Sequence, residues 1–273
     1  MGRKKNTPAD RRFAMAHVRH AERISPSFVR VTLGGLDRLV PRGHDHWCRL
    51  FFAREGQDAL QLPTRTSEIG WYLQYLATPK VRRPWVRAYT VRDARPDAGE
   101  VDVDFVIHGD EAEGPGPAAR FALGARPGDR LGFLDQGIGF TPDHPHDRTL
   151  LVGDETAMPA LAGITASLPE AARGLAIIEV PTADDRQEFR RPPGMEVRWV
   201  HRDESSAGTD RPGELALATL KATDPLDGVV HAHLIGESAL ATGARRHLVQ
   251  EWGVPKRNVD FVGYWRHGRP ATT

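Results

Sequence analysis

The hydrophobic rhythm of this chain changes once, and the change divides it in two. Before about residue 140 the apolar residues come in short, strand-length runs. Val101-Asp-Val-Asp-Phe105 alternates strictly, which in an extended chain sends the apolar side chains to one face and the aspartates to the other. Residues 28–33, closed by Gly34-Gly35, and 47–52 read as further strands, and 131–134 follows the turn signal Arg126-Pro-Gly-Asp-Arg130. Short strands at this spacing predict an antiparallel β-barrel. A stretch rich in Pro, His and Asp, 141–148, has no period and reads as a joint. Beyond it strands at 150–152, 175–180, 197–200, 233–235 and 259–262 alternate with helical patterns near 157–168, 213–221 and 238–251. That alternation predicts a parallel sheet covered on both faces. The expected fold class is therefore β + α/β, with a barrel domain over 12–140 and an α/β domain over 149–270.

Composition limits what such a chain can do. At 273 residues it is long enough for two domains, and 40% hydrophobic with 27% charged residues suits a globular protein rather than a disordered one. A formal net charge of +1, with no concentrated basic stripe, argues against a nucleic-acid partner. No apolar run approaches the roughly 18 residues that span a bilayer, and the basic start has no apolar stretch behind it, so no membrane insertion and a cytoplasmic location are expected. Cys48 is the only cysteine, which excludes a disulfide and any Cys-ligated cluster within the chain. Redox chemistry would have to come from a bound organic cofactor. The pairs His44/His46, His144/His146 and His231/His233 lack a third ligand at a recognisable spacing, so no metal site is expected.

The segment with most chemistry is Arg87-Ala-Tyr-Thr-Val-Arg92. A planar guanidinium clamps phosphate, a Tyr ring covers a flat ring system and a Thr hydroxyl bonds its polar edge. An exposed amphipathic strand would read the same way. Gly114-Pro-Gly-Pro-Ala-Ala-Arg120 offers small residues before a helix expected to start near Ala118, either a pyrophosphate cradle or an exposed loop. Gly153-Asp-Glu-Thr156 lies where the first strand of the parallel sheet meets its helix, the usual ligand edge of such folds; Asp154 there serves equally as a helix cap. Gly236-Glu237 makes a second opening on that edge, and Gly263-Tyr-Trp-Arg266 ends the last strand with aromatics suited to a ring cofactor or to anchoring the core. No G-x-G-x-x-G fingerprint occurs. For a nicotinamide donor, Glu179, Asp184 and Asp185 would suit the ribose of NADH, whereas Arg186, Arg190 and Arg191 would suit the 2′-phosphate of NADPH.

Taken in order, Arg87–Arg92, His108-Gly109, the 114–120 loop, Gly153-Asp-Glu-Thr-Ala-Met-Pro159, Gly236-Glu237 and Gly263-Tyr-Trp-Arg266 resemble the siderophore-interacting proteins, ferredoxin-reductase-like flavoproteins also called FAD-dependent ferric-siderophore reductases. The resemblance implies a flavin barrel, an α/β domain for the reductant, and transfer of electrons from NADPH or NADH through FAD to a ferric siderophore. It implies that Arg87, Tyr89, Thr90, Val91 and Arg92 hold the flavin and its phosphates. His108 and Gly109 would line its nucleotide part, and Gly116, Pro117, Ala118 and Ala119 would meet the pyrophosphate. Asp154, Glu155, Thr156 and Ala157 would face the cofactor or nicotinamide, and Tyr264, Trp265 and Arg266 would close over the flavin. Arg245, Arg246 and Arg266 are candidates for an anionic siderophore. Many family members carry a Gly-Pro-rich turn where this chain has Asp135-Gln-Gly-Ile-Gly139. A monomer is expected. Ferredoxin as donor, another acceptor, or a non-catalytic siderophore-binding flavoprotein are the alternatives.

Overall fold

The computed structural model describes residues 7–8, 11–57, 59–107, 109–110, 114–204 and 211–269. The chain forms two compact units, one holding the described residues up to Arg42 with His46–Gly139, the other Gly43–Asp45 with the described residues from Phe140 onward.

The first unit is antiparallel. Its strands are β1 (Phe13–Ser25), β2 (Phe28–Gly34), β3 (Trp47–Phe52), β4 (Trp85–Thr90), β5 (Asp93–Arg95), β6 (Glu100–Val106), the short pair β7 (Gly109–Asp110) and β8 (Gly114–Pro115), and β9 (Arg130–Gly137). Seven of them form one sheet in the order β4-β3-β9-β1-β2-β6-β5. The sheet curls into a barrel: the ring of Tyr89 on β4 lies 4.3 Å from that of Phe105 on β6. Val18, Val31, Leu33, Leu50, Val101, Val103, Phe105, Leu131 and Phe133 fill the interior, each worth roughly 1.5–3 kcal/mol of burial for the larger side chains. The alternation of β6 is real but its aspartates are not solvated. Asp104 takes a two-point contact from Arg30 (2.7 and 2.9 Å) and Asp102 another from Arg95 (2.7 and 2.8 Å), with Thr32 donating to Asp102 at 2.7 Å. Between β3 and β4 the chain inserts α1 (Glu68–Ala77), which sequence reading did not anticipate. Ser67 caps it by accepting from Gly70 N, and Trp71 and Tyr75 pack on Phe51, Val86 and Leu134 outside the barrel. The helix α2 (Pro117–Gly124) follows β8. Cys48 is fully buried and desolvation pushes its thiol pKa up, so it is an inert core residue.

The second unit is parallel throughout. Its strands are β10 (Arg148–Gly153), β11 (Arg173–Val180), β12 (Gly194–His201), β13 (Val230–Glu237) and β14 (Val259–Trp265), in the order β12-β11-β10-β13-β14. Helices α3 (Met158–Ser167), α4 (Glu214–Lys221) and α5 (Ser238–Gln250) connect them. Leu150 and Val152 of β10 and Ala232 and Leu234 of β13 pack on Ala216 and Leu220 of α4 and on Leu240, Ala244 and Leu248 of α5. The chain reverses direction across the sheet between β10 and β13, so their carboxyl ends flank the switch point.

His231 and His233 turn from that cluster toward Phe140, whose ring lies 5.5 and 5.6 Å from theirs, and His144 and His146 stack on His231 at 5.2 and 5.3 Å. Among the described residues no group of three His, Cys, Asp or Glu is placed to hold a metal. No helix among them is long and apolar enough to cross a membrane.

Candidate functional site

In the barrel the hexapeptide straddles a strand end. β4 stops at Thr90, and the next two residues leave the ladder: Val91 N donates to His46 O at 2.7 Å and Arg92 N to Asp102 O at 2.8 Å. Tyr89 is half-buried with its ring against Phe105 in the barrel, desolvation pushes its phenol pKa up, and Thr90 and Val91 beside it are buried. The three arginines around this end differ. Arg30 and Arg92 face the shared carboxylate of Asp104, Arg92 at 3.6 Å. Arg87 donates to Val86 O at 2.7 Å and lies 5.9 Å from the Trp85 ring centroid, with no carboxylate partner among the described residues. Burial lowers its pKa, so it is a partly desolvated cation without a compensating carboxylate among the described residues.

The N-terminus of α2 is open in the same sense. Gly116, its N-cap, has no side chain to accept the first-turn amides, and Pro117 at the first helical position has no N–H to satisfy. Arg120 N is the first amide to close on the chain, onto Gly116 O at 2.9 Å. Ala118 and Ala119 N–H are left without an acceptor among the described residues, behind small side chains that admit close approach. Helix termini of this kind attract phosphate. His108 lies outside the described residues, and of Gly109 only its pairing with Pro115 is described.

At the carboxyl edge of the α/β sheet the residues are instead engaged with one another. Asp154 is fully buried and accepts from Thr156 N (2.9 Å), Thr156 Oγ1 and, across the switch point, Glu237 N (2.6 Å). Desolvation, then the neighbouring Glu155, pushes its pKa up to about 7. Close backbone approach makes this possible: a Cβ on Gly236, where φ is +121°, would lie 2.6 Å from the Asp154 carboxylate, and one on Gly153 would lie 2.6 Å from Ala157 Cβ. Glu155, equally buried, meets Arg202, which also donates to Glu179 at 2.8 Å. Glu179 accepts from Gly213 N and Ala216 N at 2.8 Å each. Glu237 accepts from Ala239 N, Leu240 N and His267 N. Thr156 is half-buried and Ala157, the N-cap of α3, fully buried. Arg202 is the residue sequence reading missed; it stands one position beyond β12, with no motif to mark it.

Tyr264 and Arg266 are exposed and Trp265 half-buried, its carbonyl accepting from Ser238 Oγ at 2.7 Å. Arg245 lies 4.8 Å over the ring of Phe261, and Arg246 is exposed on α5. Of the residues considered for donor choice, Glu179 and Asp185 are buried, Asp185 in a capping box with Thr182. Arg186 contacts His201 Nε2 at 2.7 Å, Arg190 donates to Ala166 O at 2.6 Å and Arg191 to Met195 O. Asp184 remains exposed.

Residues 17–138 match the family described as siderophore-interacting FAD-binding domain, and 146–268 match siderophore-interacting protein. A solved structure of a siderophore utilization protein from T. fusca is 31% identical, covering 100% of this chain and 99% of that one, with a TM-score of 0.81. The ferric vibriobactin reductase ViuB of Vibrio cholerae is 29% identical over 90% of this chain and 86% of its own length. An NADPH-dependent ferric-chelate reductase of Escherichia coli is 29% identical over 94% of each. On its fold, its two matched regions and these relatives, the chain belongs to the siderophore-interacting protein family.

Proposed function

We propose that this chain is an FAD-dependent ferric-siderophore reductase of the cytoplasm, acting as a monomer with NADPH or NADH as electron donor. The observation that carries the reading is the pairing, within one barrel, of a helix terminus at Gly116–Ala119 with an arginine, Arg87, neither of which has an anionic partner among the described residues. Both call for an anion, and the two phosphates of FAD supply it. Thr90 and Val91 at the end of β4, with Tyr89 beneath, would bind the ring system from the barrel side. Arg92 lies 3.6 Å from an Asp104 carboxylate that Arg30 already holds at two points, and its buried Nε has no hydrogen-bond partner among the described residues, so it would add a second cation to the phosphate site.

Bound FAD supplies the exchange between a two-electron donor and a one-electron acceptor. No side chain need act as nucleophile. Iron is the cargo: siderophores hold Fe(III) through hard oxygen ligands, and Fe(II) binds these weakly, so reduction releases it. Exposed Arg246 and Arg266, with Arg245 beside Phe261, would attract an anionic chelate and raise its local concentration. The names of the vibriobactin and ferric-chelate reductases support the acceptor class.

The test is flavin content and turnover. Purified protein should be yellow, and Arg87→Ala should weaken FAD binding by roughly 10- to 100-fold, the worth of a charge-assisted contact. Reduced protein should release Fe(II) from a ferric siderophore, followed with a ferrous chelator. Unchanged FAD affinity in the variant overturns the assignment of Arg87, and no Fe(II) release overturns that of the substrate.

A further inference from the structure

A parallel α/β sheet holds a dinucleotide by placing its pyrophosphate at the N-terminus of a helix on the carboxyl edge. Whether this chain can do so is a question of where the first-turn N–H groups go. At α3, Thr156 N donates to Asp154 Oδ1, Ala157 N to Asp154 O, Met158 N to Glu155 O, and residue 159 is a proline; Ala160 N already closes on Ala157 O. At α4, Gly213 N and Ala216 N are both held by the Glu179 carboxylate, and Glu214 N by Arg211 O. At α5, Glu237 Oε2 takes Ala239 N and Leu240 N, while Glu237 N is held by Asp154. The first-turn N–H groups traced here are therefore held by a carboxylate or by the chain itself.

Charge runs the same way. Asp154, Glu155, Glu179 and Glu237 are at most 1% exposed on this edge, and Arg202 is tied to two of them. Glu179 ends the second strand, where an acid bonds the adenosine ribose in dinucleotide-binding folds, but here it is buried beneath Arg202 and α4. The contrast with α2 of the barrel, whose Ala118 and Ala119 N–H groups have no acceptor among the described residues, is internal to the chain.

We infer that the α/β unit does not grip the pyrophosphate or adenosine of NAD(P)H at its sheet edge, so that the reductant is recognised through its nicotinamide ribotide half alone. The inference rests on the proposed reading that a nicotinamide nucleotide reduces the flavin. It makes the carboxylates of Glu179 and Glu237 specificity determinants: they occupy the places a dinucleotide would need.

The decisive experiment compares reduced nicotinamide mononucleotide, NADH and NADPH as reductants of the full-length flavoprotein under anaerobic conditions. A pyrophosphate held by two charge-assisted hydrogen bonds would favour the dinucleotides by roughly 100-fold. The expected result is kcat/KM values within about ten-fold of one another; a dinucleotide advantage above about ten-fold overturns the inference. A second arm needs no turnover: ADP-ribose is titrated calorimetrically into the same protein. No saturable binding below about 1 mM is expected, and tighter binding overturns the inference. If dithionite bleaches the flavin but no nicotinamide donor does, the donor reading fails, and the ADP-ribose arm still decides this one.

Discussion

Arg202 meets Glu155 through two parallel hydrogen bonds, NH1 to Oε2 and NH2 to Oε1, each 2.7 Å long. The same NH1 reaches Glu179 at 2.8 Å, so one guanidinium bridges two wholly buried carboxylates, one in the turn after β10 and one on β11. Removing it would strand both. Arg202→Met should cost roughly 3–5 kcal/mol in urea unfolding, because an unpaired buried charge is more expensive than the pair is favourable. A loss below about 1 kcal/mol would mean that water or another cation reaches the acids.

Gly116 has N-cap geometry, φ −63° and ψ 168°, and a Cβ there would touch nothing within 4 Å. Gly116→Asp should therefore cap α2 and raise stability by a few tenths of a kcal/mol. The same carboxylate would fill the place proposed for phosphate, so FAD affinity should fall by about ten-fold or more. Thermal unfolding and flavin titration moving in opposite directions is the signature; parallel movement would show that the terminus has no anion to bind.

Asp154 has a definite pH signature. Its folded pKa, about 7, is raised above the ordinary value of 3.8, so the folded chain holds a proton that the unfolded chain releases near pH 4. Its contribution is present below that point and is lost as pH rises through about 7, at up to roughly 1.4 kcal/mol per pH unit. His44 and His146, whose pKa values burial lowers, act with the opposite sign, and they cancel when wild type is compared with Asp154→Asn. Between pH 5 and 8 wild type should lose stability relative to the variant. A pH-independent difference in urea midpoints would refute the buried, proton-holding carboxyl.

Gly236 allows Glu237 N to reach Asp154. Gly236→Ala places a methyl group against the carboxylate and requires a positive φ of +121° from a residue that resists it. A loss of roughly 2 kcal/mol or more is expected, with FAD affinity unchanged since the flavin is assigned to the barrel. A change in flavin binding would contradict that assignment.

The two architectures were legible because each leaves a periodic trace: β6 alternates, and β10, β11 and β13 are apolar runs followed by helices. The helix α1 left a weaker one, since its apolar residues surround it: Trp71 and Tyr75 face inward while Ile69, Leu73 and Leu76 stay exposed. Motifs located the carboxyl edge but not its chemistry. Nothing in Gly153-Asp-Glu-Thr156 says whether its acids face a ligand or the protein; that depends on Arg202, 47 positions from Glu155, and on Gly236 across the sheet. Such pairings arise from parallel register, which brings distant strand ends together without any local signal.

The three residues Gly43–Asp45 lie between strands of the barrel yet belong to the other unit. Asp45 accepts from Phe140 N at 2.8 Å and lies 3.5 Å from His233, while His44 N donates to Ser167 Oγ at 2.8 Å. The polypeptide is thus laced through both units rather than cut once between them. Recombination that exchanges one half with a relative, breaking only near residue 140, would carry this short loop away from its partners. The two halves of this chain should be inherited together, and grafts made at that single joint should fail unless the loop travels with its own α/β half.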